Sequence, residues 1–192
     1  MSAPSRVLIA GHNADACVFA CLLRHAGYDV ALLGAAWQPA QGLRLRGLWG
    51  AYDAEGFQHA NTIDELTGAY SLMLLVETHQ VAQLRSYAPA EGLALALSDD
   101  LRTLDTIAAG FGAEQTLGAR LGFSATLTAP AHVSIDGSHG PTLIGPLEVS
   151  DCVMMEQIHS WIRAFQAARI PCAATPDMLA YVDGKSTVGH VK

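Results

Sequence analysis

Lysine is almost missing from this chain. Of its 192 residues only Lys185 and Lys192 are lysines, and the first 184 residues contain none. Chemistry that needs a lysine in the body of the chain is therefore excluded. Charge of any kind is sparse: 15% of residues are charged against 51% hydrophobic, with a formal net charge of −7. That balance excludes intrinsic disorder, which needs low hydrophobicity and high charge. There is no basic block, and an acidic surface repels phosphates, so no nucleic-acid partner is expected. No apolar run reaches the ~20 residues that span a bilayer, so no membrane partner is expected. Cys17, Cys21, Cys152 and Cys172 form neither a CxxC nor a zinc spacing. The expectation is buried thiols and a cytoplasmic protein. Residues 1–6 lead into a strand-like run with no signal-peptide pattern.

What is present is a strand-helix alternation. Arg6-Val-Leu-Ile-Ala10 is a short apolar run ending at Gly11, which reads as a buried parallel strand. Ala14–Ala26 reads as a helix closed by Gly27, apolar almost all round, so it should pack on more than one side. Tyr28–Leu33 is a second strand, completing the β-α-β opening of a doubly wound sheet. In Gly42–Trp49 leucines alternate with arginines, as in a half-exposed strand or hairpin. Thr62-Ile-Asp-Glu65 is a capping-box pattern. Further strands are expected at Ser71–Val76, Leu93–Leu97, Thr116–Arg120, Phe123–Thr128, His132–Asp136, Thr142–Ile144 and Ile170–Ala174. Helices are expected at Gln80–Tyr87, at Leu101–Phe111 and from a Ser150 cap to Ala168. The fold class is α/β: a Rossmann-like three-layer domain over residues 1–175, mainly parallel, extended by antiparallel hairpins, with residues 176–192 as a C-terminal tail.

In such a sheet ligands bind beyond the carboxyl ends of the strands. The residues that follow the strands are Gly11–Asp15, Gly34–Trp37, Glu77–Gln80 and Ser98–Leu101.

With this order of elements the chain resembles the N-terminal domain of ketopantoate reductases (2-dehydropantoate 2-reductases). The matching stretches are Val7-Leu-Ile-Ala-Gly11, Leu22-Leu-Arg-His-Ala-Gly-Tyr-Asp-Val30, Gly42-Leu-Arg-Leu-Arg-Gly47, Leu74-Leu-Val-Glu-Thr-His-Gln80 and Leu143-Ile-Gly-Pro146. The resemblance runs over residues 5–175, and its order and spacing carry it rather than any one motif. It implies a Rossmann domain that binds NADPH and serves reduction of a 2-keto acid. The chain departs from the family at the residues for that chemistry. The phosphate loop G-x-G-A-x-G is here Gly11-His-Asn-Ala-Asp-Ala16. Asn13 takes the place of the glycine that lets backbone approach the pyrophosphate, so its side chain is expected to intrude. Asp15 puts a negative charge where the diphosphate would lie, or caps the helix. After the second strand, Leu33-Gly-Ala-Ala-Trp37 offers no cation for a 2′-phosphate. Glu77 falls where the family has a lysine, and Ser98-Asp-Asp-Leu101 falls near its Asn-Gly motif. Lys185 is out of register for a further family lysine. Carbonyl reduction needs a cation or acid at the developing alkoxide, and these replacements invert the sign of that field.

The expected crevice gathers Glu77, His79, Asp99 and Asp100 as candidate catalytic groups, with Gly11, His12, Asn13 and Trp37 as candidate ligand-binding residues. Crowded carboxylates cannot all ionise, so one would have a raised pKa and act as a general acid, with His79 as base. The alternative is solvated loop carboxylates, Asp99 or Asp100 merely capping the next helix. Trp37 either stacks on a ring or packs as an ordinary aromatic. No metal is expected, since Glu77-x-His79 is a poor ligand spacing. Cys17 and Cys21, at i and i+4, read as core, and Gly184-Lys-Ser-Thr187 lacks the context of a P-loop. Three functions remain. The first is a cofactor-free cyclase or isomerase acting on a small-molecule substrate in the former cofactor crevice. The second is an NAD(P)H-dependent reductase of a 2-keto acid or related carbonyl, with NADP as cofactor. The third is a non-catalytic binding or assembly subunit, a homodimer for instance, using the apolar 154–165 helix face.

Overall fold

Residue Ile9 pairs with Leu32 on one side and with Leu74 on the other, which puts the first strand at the centre of a parallel sheet. The computed structural model describes residues 6–37, 42–76, 81–98, 100–147, 152–176 and 178, with the backbone alone for residues 152 and 153. Strand β1 (Arg6–Ala10) leads through helix α1 (Ala14–His25) to β2 (Asp29–Leu33). Strands β3 (Leu43–Gly47), β4 (Tyr52–Ala54) and β5 (Gln58–Ala60) follow. Then come β6 (Leu72–Leu75), the short helix α2 (Val81–Leu84), β7 (Leu93–Ala96) and α3 (Leu101–Phe111). The chain continues as β8 (Thr116–Arg120), β9 (Phe123–Ala129), β10 (His132–Ser138) and β11 (Thr142–Pro146). Helix α4 (Cys152–Ala167) and β12 (Cys172–Ala174) complete it.

The main sheet has eight strands in the order β12-β11-β8-β7-β6-β1-β2-β5. From β5 to β8 all neighbours are parallel; β11 runs antiparallel to β8, and β12 parallel to β11. The continuous apolar run of β1 follows from its position. Val7 and Ile9 face the cluster containing α1, while Leu8 and Ala10 face the cluster containing α3, so both faces are covered.

The hairpin of β9 and β10 does not extend this sheet, contrary to the sequence reading. With β3 and β4 it forms a separate four-stranded sheet, ordered β4-β3-β10-β9. Helix α1 lies between the two sheets, in contact with β2 on one side and with β3, β4, β9 and β10 on the other. This is why α1 is apolar all round: Ala16 through Leu23 are all buried. Burying Phe19, Leu22 and Leu23 contributes about 1.5–3 kcal/mol each. Phe19 also meets Phe165 of α4 edge-on, ring centroids 5.6 Å apart. Within the second sheet β3 and β10 are closely fitted at Gly47 (φ +115°), where an added Cβ would collide with the Ile135 carbonyl. Helices α2 and α3 cover the opposite face of the main sheet. Met178, beyond the expected boundary at 175, is fully buried in that same cluster.

Strands β4 and β5 were not expected; they are three residues each and carry little apolar signal. The expected helix over 80–87 is one α-turn, Val81–Leu84, followed by a 3-10 turn, Arg85–Tyr87. At Thr62–Glu65 the expected capping box is displaced: Glu65 accepts from the Asn61 N–H at 2.8 Å, one residue before the N-cap Thr62, whose side chain does not cap the turn. Among the described residues no helix is long and apolar enough to cross a membrane.

Candidate functional site

The strand order reverses at β1. The chain moves outward from β1 to β2, then crosses back to place β6 on the other side. The crevice over the C-terminal ends of β1 and β6 is therefore the topological switch point, where such sheets accept ligands. Gly11 ends β1 at φ +93°, a conformation that suits glycine, and its N–H donates to Leu33 O at 3.2 Å. The Val76 N–H donates to Ala10 O at 3.0 Å, closing the other flank.

Asn13 turns its side chain back onto the start of α1. It is the N-cap of α1, and its Oδ1 accepts from the Ala16 N–H at 2.8 Å. Asp15 is thus not the cap; it sits in the first turn, where burial pushes its carboxyl pKa up. Helix polarity favours a negative charge there, but desolvation outweighs it.

His12 leans on two neighbours. Its ring meets Trp37 edge-on, centroids 4.7 Å apart and planes at 87°. Its Nε2 lies 3.7 Å from the Cys17 sulfur. The Cys17 thiol is pushed up to about 12 by burial, then by Cys21 and Asp15, so it keeps its proton. Trp37, carried by the turn after β2, is 3% exposed. That turn is tied by the Gly34 N–H to Ala60 O at 2.9 Å, and His59 Nε2 lies 3.1 Å from Gly34 O. A cavity of about 250 Å³ lies between the His12–Trp37 pair and the second sheet. The β9–β10 hairpin residues on that cavity, Leu127, Ala129, Pro130 and Ala131, were not among the expected site residues. Only long-range pairing brings them to the crevice, and the sequence gives no local sign of it.

Of the four proposed catalytic groups, Glu77, His79 and Asp99 lie outside the described residues. Asp100 is an exposed N-cap of α3; its carboxylate accepts from the Thr103 N–H at 2.9 Å and the Thr103 hydroxyl at 2.8 Å. These bonds hold its pKa below the usual carboxylate value, opposite to the shift a general acid needs. Among the described residues no three His, Cys, Asp or Glu come together as a metal site. A wider groove of about 770 Å³ opens at the other end of the sheet, between Trp161 and Ala164 of α4 and the loop residues Tyr28 and Pro89–Glu91.

No protein-family model matches the chain, and no curated protein matches it in sequence. Solved structures do match it in shape. A 2-dehydropantoate 2-reductase from Geobacter metallireducens superimposes with a TM-score of 0.78 at 22% identity, over 92% of this chain and 60% of that one. One from Porphyromonas gingivalis gives 0.79 at 14% identity, over 95% of this chain and 68% of that one. A D-mandelate dehydrogenase solved with NADH and anilino(oxo)acetate gives 0.77 at 17% identity, over 94% and 60%. The chain spans about 60% of the length of most of these enzymes. At these identities the likeness establishes the fold: the chain has the Rossmann-like architecture of the N-terminal domain of the ketopantoate reductases.

Proposed function

We propose that this chain binds a pyridine dinucleotide over the ends of β1 and β6, as the cofactor-holding part of a carbonyl reductase, and that it prefers NADH to NADPH. The observation that carries this reading is the switch point itself, with Gly11 turning from β1 into the N-terminus of the twelve-residue helix α1. The likeness to reductases, two of them D-mandelate dehydrogenase structures solved with NADH, supports it over a cyclase or isomerase, for which the comparisons offer no support.

The Gly11 turn and the helix start suit such a group, and it would have to share that start with Asn13, whose Oδ1 already takes the Ala16 N–H. Asp15, in the first turn of α1, opposes a diphosphate. No cation stands at Gly34–Trp37 to meet a 2′-phosphate, hence NADH. When bound, the cofactor supplies a hydride. The chain's own contribution is to hold the diphosphate at Gly11 and the start of α1. The described crevice residues include no cation for a developing alkoxide, so that group comes from elsewhere in the assembled enzyme.

Calorimetric titration tests this. NADH is expected to bind with a dissociation constant between about 10 μM and 1 mM, and NADPH about tenfold more weakly. Gly11→Val should abolish both while the protein stays folded by circular dichroism. No heat from either nucleotide at about 1 mM would overturn the reading.

A further inference from the structure

Three of the four edge strands of the two sheets are short: β4, β5 and β12 have three residues each. The fourth, β9, has seven, and among the described residues only β10 pairs with it. A free edge offers a row of N–H and C=O groups to another strand, and proteins guard it with charge, proline, a bulge or brevity. The sequence Phe-Ser-Ala-Thr-Leu-Thr-Ala of β9 holds no charge and no proline. The register shifts of the hairpin put an extra residue at Thr128 and at Asp136, so on β9 the run Phe123–Leu127 stays unbroken. Ala125 and Leu127 lie opposite the buried Ile135 and Val133 and share their inner face, while Thr126 lies opposite Ser134 on the outer face. Ser124 and Thr126 are exposed, and Leu127 is 37% exposed despite facing inward. The apolar side of α4, expected to serve an assembly, is taken up by the core: Met154, Ile158, Ile162 and Phe165 are buried there.

We propose that β9 pairs with the same strand of a second copy of this chain, antiparallel about a two-fold axis at Ala125. Opposed residues of a pleated pair face the same side, so the register that uses the whole unbroken run is fixed. It sets Phe123 opposite Leu127 of the partner subunit, Ser124 opposite Thr126 of the partner subunit, and Ala125 opposite its own copy. In that register the strand complements itself. An aromatic–aliphatic pair covers Leu127 on the inner face, and hydroxyls meet on the outer one. Each chain carries a formal net charge of −7, yet the uncharged strand lets two copies meet without charge directly against charge. The two four-stranded sheets then join into one. Five paired residues a side make a small contact, so the dimer dissociates at about 10–500 μM. The pairing needs no dinucleotide.

Sedimentation velocity of the nucleotide-free chain, from about 5 μM to about 1 mM, should show monomer giving way to dimer. Two double variants test the register. Ser124→Lys with Thr126→Lys sets like charges directly opposite each other across the axis and should weaken the dimer about tenfold. Ser124→Glu with Thr126→Lys sets opposite charges there and should dimerise at least as tightly as wild type. Both positions are exposed, so both variants should keep the wild-type circular dichroism spectrum. Hydrogen exchange of the wild type needs no substitution: amides of Phe123–Leu127 should exchange more slowly at about 1 mM than at about 5 μM. A wild type that stays monomeric at about 1 mM would leave the edge to a strand of some other chain and overturn the proposal. So would a lysine pair that leaves the dimer as tight, a glutamate–lysine variant that stays monomeric, or exchange in β9 that ignores concentration.

Discussion

His12 presents its ring edge-on to Trp37 at 87°, so the residue after the central strand's glycine is held by the turn that follows the neighbouring strand. Edge-to-face ring pairs contribute about 0.5–1.5 kcal/mol beyond their burial. His12→Ala should therefore lower stability by about 1 kcal/mol in urea unfolding. It should also shift tryptophan emission to the red, because Trp37 loses its cover.

Asn13 closes the start of α1. Asn13→Ala removes the acceptor for the Ala16 N–H and should cost about 1 kcal/mol, whereas Asn13→Asp retains a capping oxygen and should cost little. Denaturant midpoints of the three proteins check this. Asn13→Gly, which would restore the family's residue in the loop, should fall close to wild type.

Asp15 should make stability fall as pH rises. Its folded pKa is raised above the ordinary value of 3.8, so between the two values the unfolded chain releases the proton that the folded one keeps. The free energy of unfolding then decreases across that window and stays lower above it. Asp15→Asn removes the penalty. Its melting temperature should exceed wild type at pH 7, and the gap should close as pH falls below 3.8. A gap that persists unchanged in acid would show that the carboxylate is not its source.

Cys17, Cys21 and Cys172 are each buried, with thiols pushed up to about 12 by loss of solvent. Alkylation needs the thiolate. Iodoacetamide at about pH 8 should leave all three unmodified in the folded protein and label them once it is unfolded. Peptide mass spectrometry reads this site by site.

How much was legible depends on the range of the contacts involved. The run from Arg6 to Leu33 declares β1, α1 and β2, because a five-residue apolar strand, an all-round apolar helix and Gly27 are local signals. The all-round burial of α1 correctly implied two packing partners, but not that the second was a sheet. Leu43-Arg-Leu-Arg-Gly47 showed a half-exposed strand, yet its parallel partner is His132–Ile135, far along the chain. No local pattern specifies that pairing. That Gly11 and Trp37 follow the ends of β1 and β2 was legible from the strand runs alone. The choice between Asn13 and Asp15 as cap was not readable, since either side chain can cap and they lie two residues apart. For Asp100 both roles were open on sequence; the bonds to Thr103 give it the capping one.

Helix α1 furnishes apolar surface to two sheets at once. Neither sheet can lose that helix and keep its inner face dry, so the layers have no independent existence. Melting α1 takes both sheets with it, and the crevice cannot open by swinging one sheet away from the other. Any movement during ligand entry falls to the turns at the strand ends, which is where the His12–Trp37 pair sits.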